Sequence, residues 1–417
     1  MRIVTLSKTM EDRLFRAREN QDRAALTAAT KIVGDVRKRG DRALSDWAKR
    51  LDGADLKRQG LWISRGEFVA AKKRVSREFL KAVEHAANNV RRVAERQLPG
   101  DWNLRVEQGV TVRQIVRPLD SIGCYIPGGR FALVSTLVMT VVPARVAGVP
   151  LIVAVCPRPN DELLAAAELL GITRLARVGG AQAIAALAYG TGQIARVEKI
   201  FGPGNRYVTA AKQLISADCA IDLPAGPTEA VVLADHGNPD WIAADLLAQA
   251  EHAPDAGSFL VTVSRRLAEC VQQAVMRQLA SLPKENPAQH SIRKTGSIVV
   301  AKSMDNACDF VNRLAPEHLS LPHDGPKLLK QIHSAGTVFL GPLSAQPFGD
   351  YASGSNHVLP TGGWARRRGG LSAVDFVKCI SVQSIDRAGY CRLAGDVQAL
   401  ACAEGLLAHS NAVEVRR

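Results

Sequence analysis

The chain has 417 residues, of which 47% are hydrophobic and 23% charged, values typical of a globular protein with two or three domains. No apolar run approaches the length of a bilayer span and the N-terminus lacks a signal core, so we predict neither a membrane segment nor secretion. The eight cysteines show no Cys-x-x-Cys spacing, which favours reduced thiols and a cytoplasmic location. The net charge is +14, but basic residues alternate with acidic ones along the predicted helices. This pattern argues against nucleic-acid binding.

Residues 1–100 are predicted to be mainly helical. Apolar residues recur at three- and four-residue spacing in Gln21–Val36, Gly40 interrupts the pattern, and Asp41–Leu51 continues it. Ser76 is a suitable N-cap for a long helix that stops before Pro99. No catalytic group of residues stands out here, so we interpret this part as scaffold or as an oligomerisation arm.

The middle of the chain alternates between strand and helix patterns, which predicts parallel βαβ units. The predicted helices in the first part of this region are Asp161–Leu170, Ala181–Tyr189 and Tyr207–Ile215. The predicted strands are Val110–Val116, Leu151–Cys156, Arg174–Val178, Val197–Phe201, Ala230–Leu233, Phe259–Val263, Ser297–Val300 and Thr337–Leu340. The expected fold is therefore α/β, with two similar Rossmann-like α/β domains and helical N-terminal and C-terminal extensions.

The predicted domain organisation is discontinuous. We expect an N-terminal arm at 1–20, a first α/β domain formed by 21–119 and 229–371, a second α/β domain at 120–228, and a C-terminal helical extension at 372–417. In that extension, Asp396–Ala408 is predicted to be one helix. The site is expected in the cleft between the domains, at the carboxyl ends of the strands.

The stretch Gly349–Gly363 has an unusually polar composition. It combines a carboxylate, a phenol, three aliphatic hydroxyls, an amide, an imidazole and four glycines within fifteen residues. The glycines predict a loop, and loops held by a rigid scaffold often carry binding and catalysis.

A metal site is one hypothesis for this loop and its partners. Gln249 and His252 are three residues apart on the predicted helix Ala243–Ala253, so they share a face. With Asp350 and His409 they would supply two imidazoles and a carboxylate, which suits zinc with a position left for substrate. From the residues alone, a solvated polar pair at a helix end is the more common alternative.

The adjacent pair Glu317 and His318 is a candidate for acid–base chemistry. The two side chains could divide the work on an extended segment after Pro316, because a carboxylate can activate water while an imidazole moves a proton. A partly buried histidine paired with its own loop is the simpler alternative, and the residues alone favour it.

Two glycine-containing turns, Val178–Gln182 and Gly202–Asn205, lead from predicted strands into helices. Such turns can direct backbone N–H groups toward an anion, although neither matches the G-x-G-x-x-G pattern. Ordinary helix capping explains them equally well. Cys124, which precedes another glycine turn, is interpreted as a small buried residue rather than a nucleophile.

Eight stretches together resemble the histidinol dehydrogenase family, in the family's order and spacing. The eight stretches are Tyr125–Gly129, Val178–Tyr189, Gly202–Asn205, Pro224–Glu229, Gln249–His252, Ala315–Leu319, Gly349–Thr361 and Glu404–His409. The resemblance covers the chain from about residue 100 to its end. The resemblance implies an NAD-dependent four-electron oxidation of L-histidinol to L-histidine through L-histidinaldehyde, the last step of histidine biosynthesis.

The resemblance also implies roles for individual residues. One zinc ion per subunit would be bound by Gln249, His252, Asp350 and His409, and Glu317 and His318 would be the catalytic pair. The implied substrate contacts are Thr228, Gln249, His252, His318, Asp350, Glu404 and His409. The implied NAD contacts are Tyr125, Gln182 and Asn205.

By the same resemblance the protein is a homodimer with shared active sites, in which residues 372–417 of one subunit complete the other's site. His318 would take the alcohol proton, Glu317 would activate water for attack on the aldehyde, and Glu404 would pair with the substrate ammonium. Position 228 is threonine where serine is commoner in the family, and Arg130–Val134 lacks the Tyr-Pro often found there. The rival interpretations are a related dehydrogenase acting on another small alcohol and a basic nucleic-acid-binding protein with a structural zinc.

Overall fold

The computed structural model describes residues 1–19, 23–128, 132–223 and 226–417. Four predicted stretches therefore lie partly outside the described residues: the start of Gln21–Val36, the end of the Tyr125–Gly129 motif, the stretch Arg130–Val134 and the start of the Pro224–Glu229 motif.

The described strands are short. They are β1 (Arg2–Thr5), β2 (Trp102–Glu107), β3 (Val110–Pro118), β4 (Ser121–Tyr125), β5 (Leu151–Val155), β6 (Leu175–Ala176), β7 (Lys199–Phe201), β8 (Ala220–Ile221), β9 (Glu229–Leu233), β10 (Gly257–Thr262), β11 (Ser297–Val300), β12 (His318–Leu321), β13 (Thr337–Leu340) and β14 (Val377–Ile385).

The described α-helices fall between and around these strands. They are α1 (Lys8–Glu19), α2 (Arg23–Arg39), α3 (Asp41–Trp47), α4 (Leu56–Gln59), α5 (Arg65–Arg74), α6 (Arg77–Gln97), α7 (Val134–Val146), α8 (Asp161–Leu169), α9 (Gly180–Tyr189), α10 (Arg206–Ile215), α11 (Pro239–Ala250), α12 (Arg265–Ser281), α13 (Ala288–Lys294), α14 (Met304–Leu314), α15 (Gly325–Leu329), α16 (Gln346–Tyr351), α17 (Arg387–Ala403) and α18 (Leu407–Glu414). In the described ranges, none is both long enough and apolar enough to cross a membrane.

Two parallel sheets confirm the predicted α/β fold. One has six strands in the order β1-β11-β10-β9-β12-β13, and the other has five in the order β6-β5-β4-β7-β8. A third sheet, antiparallel and in the order β14-β3-β2, joins the C-terminal segment to the hairpin that precedes β4. The sequence did not predict this third sheet.

Strand β9 shows why the six-stranded sheet is buried on both faces. All five of its residues are buried. Val232 points into a core with α11 and α12, whereas Val231 and Leu233 point into a second core that includes Phe310 of α14. This is the two-residue periodicity of a strand, and each such buried aliphatic side chain contributes roughly 1.5–3 kcal/mol.

The N-terminal helices pack against the helices that flank the five-stranded sheet. Helix α2 contacts α9 and α10, while α5 contacts α8 and α6 contacts α7. Residues 23–97 therefore contact helices of 134–215, and the predicted grouping of 21–119 with 229–371 stays a prediction. Within the predicted N-terminal arm, Arg2–Thr5 pairs in parallel with β11 as an edge strand of the six-stranded sheet.

Three predicted boundaries in elements that carry candidate residues are corrected. Helix α11 ends at Ala250, with Glu251 as its C-cap, so His252 lies in the following turn rather than on a shared helical face. Asp350 lies on the short helix α16 instead of a loop. The single predicted helix Asp396–Ala408 is two helices, because Gly405 adopts a positive φ of 73° between them.

Candidate active site

The candidate residues lie at different edges of the two sheets. Thr228 immediately precedes β9 and His318 begins β12, and these neighbouring strands run in parallel. The candidate catalytic group is therefore at the amino end of the six-stranded sheet, contrary to the expectation that it lies at carboxyl strand ends. In the five-stranded sheet, Tyr125 ends β4 and Asn205 follows β7, so the candidate cofactor group does lie at the carboxyl edge.

Glu317 is buried, with 7% of its surface exposed. Its Oε2 accepts hydrogen bonds from the Thr228 hydroxyl and from the backbone N–H of Glu229 at 3.1 Å. Burial raises the pKa of the Glu317 carboxyl, although His318 and the two donors oppose that shift. A carboxylate with a raised pKa is suited to accept a proton near neutral pH.

His318 lies between two carboxylates. Its Nδ1 is 3.8 Å from Glu317 Oε2, and its Nε2 is 3.5 Å from Asp350 Oδ1. Burial disfavours the imidazolium, but the two neighbouring carboxylates outweigh that effect and raise the pKa of His318. Both ring nitrogens are buried without a hydrogen-bond partner among the described residues. Such groups are costly unless a ligand satisfies them.

The candidate metal ligands are only partly assembled. His252 Nε2 is 3.8 Å from Asp350 Oδ2, and Gln249 Nε2 donates to Thr228 Oγ1 at 2.7 Å. Gln249 Oε1 accepts a hydrogen bond from Gln346 Nε2 at 2.6 Å. An imidazole, a carboxylate and an amide oxygen are ligand types that zinc accepts, but here only His252 and Asp350 approach each other, and the oxygen of Gln249 is bound by Gln346.

The remaining predicted ligand, His409, is not part of this group. His409 and Glu404 are exposed, on and just before α18, and neither side chain makes a hydrogen bond or ion pair with the group in the described part of the chain. Helix α17 packs against α18 and β14. The C-terminal extension therefore presents these two side chains outward.

His357 supports the position of Asp350. Its Nδ1 lies 2.9 Å from the backbone oxygen of Asp350, and its Nε2 lies 3.3 Å from the hydroxyl of Thr136 on α7. Asn356 adds a second link, because its amide donates to the backbone oxygen of Met139 at 2.8 Å. The polar segment is thus attached to the helix that follows β4. Burial raises the pKa of the Asp350 carboxyl, but the neighbouring imidazoles lower it more strongly, so the pKa of Asp350 is lowered overall.

The two glycine turns are capped from within the chain. The N–H groups of Gly179 and Gly180 donate to Asp52 Oδ2 and to the Tyr125 hydroxyl. In the second turn, Asn205 Oδ1 accepts from the first turn of α10 as an N-cap. The capping alternative therefore describes these turns better than an open anion site.

Several supporting residues escaped the sequence analysis. Gln346, Asp52 and the buried pair Lys212 and Asp222 sit in unremarkable sequence, and no local pattern marks them. Cys124 is buried as expected, and burial raises the pKa of its thiol to about 12. The nucleophilic thiolate therefore does not form readily at neutral pH.

Another possible ligand group lies at the opposite edge of the six-stranded sheet. Among the described residues, Asp235, His236 and Asp324 bring donor atoms within 4.8 Å of one another. They follow β9 and β12, whereas Thr228 and His318 lie where these strands begin. This group is thus separate from the candidate active site.

Comparison with known proteins points to one family. The family model described as histidinol dehydrogenase matches residues 15–417. A histidinol dehydrogenase from Aquifex aeolicus is 44% identical over 388 residues, which cover 93% of this chain and 91% of that protein. One from Halalkalibacterium halodurans is 44% identical and covers 100% of this chain and 99% of its own. The crystal structure of histidinol dehydrogenase from Elizabethkingia anophelis has a TM-score of 0.93 at 36% identity, covering 100% of this chain and 98% of that one.

Proposed function

We propose roles for the site residues from the premise that this chain belongs to the histidinol dehydrogenase family. It is an NAD-dependent oxidoreductase of histidine biosynthesis that acts on histidinol. The observation that best supports the individual roles is the buried His318 imidazole, which lies between Glu317 and Asp350 and has neither ring nitrogen hydrogen-bonded within the described residues.

His318 is proposed to accept the proton of the alcohol in the first oxidation. Neutral imidazole offers one lone pair, and the carboxylates on either side stabilise the imidazolium that results. NAD, when bound, supplies the hydride acceptor for both oxidations.

Glu317 is proposed to accept a proton from the water that adds to the aldehyde. The hydrogen bonds from Thr228 and from the N–H of Glu229 fix its Oε2, and burial keeps bulk water away. Its raised pKa makes it a stronger base than an exposed carboxylate. The resulting hydrate is oxidised at the same site, so the reactive aldehyde need not leave.

Zinc binding is proposed at Gln249, His252 and Asp350, completed by His409 of the partner subunit. When bound, zinc would hold nitrogen atoms of the substrate and so orient its alcohol carbon. For Gln249 to bind zinc, its Oε1 must give up the hydrogen bond from Gln346 and bind the metal instead. Thr228 then keeps the amide in place through Gln249 Nε2.

The cofactor is proposed to contact Tyr125, Gln182 and Asn205 at the carboxyl edge of the five-stranded sheet. Gln182 is fully buried, yet its Oε1 has no hydrogen-bond partner among the described residues. A buried acceptor in this state is suited to a donor group of a ligand.

We propose a homodimer with shared sites, located in the cytoplasm. Large apolar side chains are exposed on the third sheet and the C-terminal helices, including Leu104 at 55%, Leu400 at 66% and Leu407 at 71%. A second copy would cover them, and the outward-facing Glu404 and His409 would enter its site. Glu404 would there pair with the ammonium of histidinol.

Subunit complementation tests the shared site. His318→Asn and His409→Ala should each be nearly inactive alone. When both variants are co-expressed, each hybrid dimer has one site that is free of both changes. Hybrids make up about half of a statistical mixture, so about a quarter of wild-type activity should return. If each subunit carried a complete site of its own, every site in the mixture would hold one change and no activity would return.

A further inference from the structure

Asp52 connects the N-terminal helices to the candidate cofactor site. It ends a π-helical segment, Ala48–Asp52, and the following Gly53 has a positive φ of 69°, which closes that segment. Asp52 Oδ2 accepts a hydrogen bond from Gln182 Nε2 at 2.9 Å and a longer one from the N–H of Gly179 at 3.4 Å. The carboxylate therefore lies at the turn that begins α9.

This contact determines which end of the Gln182 amide remains available. An ionised carboxylate can only accept hydrogen bonds, so the NH₂ group of Gln182 must face Asp52. The carbonyl Oε1 is then left buried, and it has no partner within the described ranges. Without Asp52, either end of the amide could face a ligand.

The backbone beside Gln182 leaves room for this orientation. Gly180 has a positive φ of 62°, and a Cβ added there would lie 2.6 Å from Gln182 Oε1. A side chain at position 180 would therefore displace the carbonyl as well as strain the turn.

We infer that Asp52 is a positioning residue for the cofactor, holding Gln182 so that its carbonyl oxygen meets a hydrogen-bond donor of NAD. The chemistry requires an O–H or N–H group on the cofactor, such as a ribose hydroxyl or an amide NH₂. This inference rests on the proposed assignment of Gln182 to the cofactor site. It gives the N-terminal helices a part in cofactor binding, which their sequence did not indicate.

The test is NADH binding by fluorescence titration of the zinc-loaded, full-length enzyme. Asp52→Ala should weaken NADH binding about tenfold, the size of one lost ligand hydrogen bond, with kcat at saturating NAD and the KM for histidinol changed less than about twofold. Asp52→Asn should retain most of the affinity, because its amide oxygen can still accept from Gln182 Nε2. Asp46→Ala, which removes an exposed carboxylate from α3, is the matched control and should bind NADH normally.

A double variant separates positioning from general damage. Once Gln182 is alanine, the further change Asp52→Ala should cost no additional affinity. If Gln182→Ala itself left NADH binding unchanged, the proposed cofactor site would fail and the inference with it. If Gln182→Ala weakened binding but Asp52→Ala did not, only the inference would fail. The inference would also be overturned if Asp52→Ala raised the KM for histidinol as strongly as it weakened NADH binding and lowered the melting temperature as well. Those changes together would indicate a purely structural role for Asp52.

Discussion

The buried ion pair Lys212–Asp222 provides a stability prediction that can be worked out from its contacts. Both side chains are almost fully buried, at 2% and 0% exposed, and Lys212 Nζ also donates to the backbone oxygen of Gly202 at 3.0 Å. Asp222 accepts from the N–H groups of Gly202 at 2.7 Å and Leu223 at 2.6 Å. The pair therefore holds the turn that leads to Asn205.

Lys212→Met keeps the length of the side chain but leaves a buried carboxylate without its cation. Breaking a buried pair in this way costs about 3–5 kcal/mol. The lower end applies, because two backbone N–H groups still bind Asp222. At roughly 2–4 °C per kcal/mol for a domain of this size, the melting transition should fall by about 6 °C or more.

Differential scanning calorimetry measures this loss. Lys73→Met, at an exposed position on α5, is the matched control and should change the transition little. Adding Asp222→Asn to Lys212→Met should restore part of the stability, because it removes the unpaired charge and keeps an acceptor. Equal transitions for Lys212→Met and Lys73→Met, or a double variant that is less stable than Lys212→Met, would refute the reasoning.

Other predictions concern catalysis, metal and pH. Glu317→Gln should spare the first oxidation and slow the second by roughly 10²–10⁴-fold, since glutamine keeps the hydrogen bond from Thr228 but cannot take a proton. Single-turnover NADH formation from histidinol and from histidinaldehyde measures the two steps separately. Equal losses of rate in both steps would contradict the role assigned to Glu317. His252→Ala or Asp350→Ala should lower bound zinc in metal analysis, whereas full zinc with lost activity would remove that residue from the ligand set. Burial raises the pKa of Asp245 to about 6 from 3.8, so folding favours the protonated form and stability should fall as pH rises through this window. Asp245→Asn should therefore raise the melting temperature at pH 8 and change it little at pH 4; the same change at both pH values would argue against a titrating carboxylate.

Local sequence patterns predicted several of the parallel strands, because these strands are short apolar runs. Ser297–Val300 and the edge strand Thr337–Leu340 are found at the predicted boundaries, whereas the central strand β12 was not predicted. Long-range pairings were not predictable in this way. β14 pairs with β3 although a large part of the chain separates them, and the edge position of β1 depends on a partner, β11, far along the sequence.

Helix ends near the site were the least predictable feature. The helix predicted over Ala243–Ala253 ends at Ala250, so His252 lies near Asp350 from a turn. The polar composition around Asp350 predicted a loop, yet one short helix there buries it beside His318. Gln346 was missed because an amide that orients another amide has no sequence signature.

The most direct test of the proposed chemistry is the number of NADH molecules formed per L-histidinol consumed by the zinc-loaded enzyme. Two NADH per substrate, lost on chelation and recovered with zinc, is the predicted result. One NADH per substrate with release of the aldehyde would contradict the proposal that His318 and Glu317 carry out both oxidations at one site. Two NADH that persist after complete removal of metal would contradict the zinc assignment.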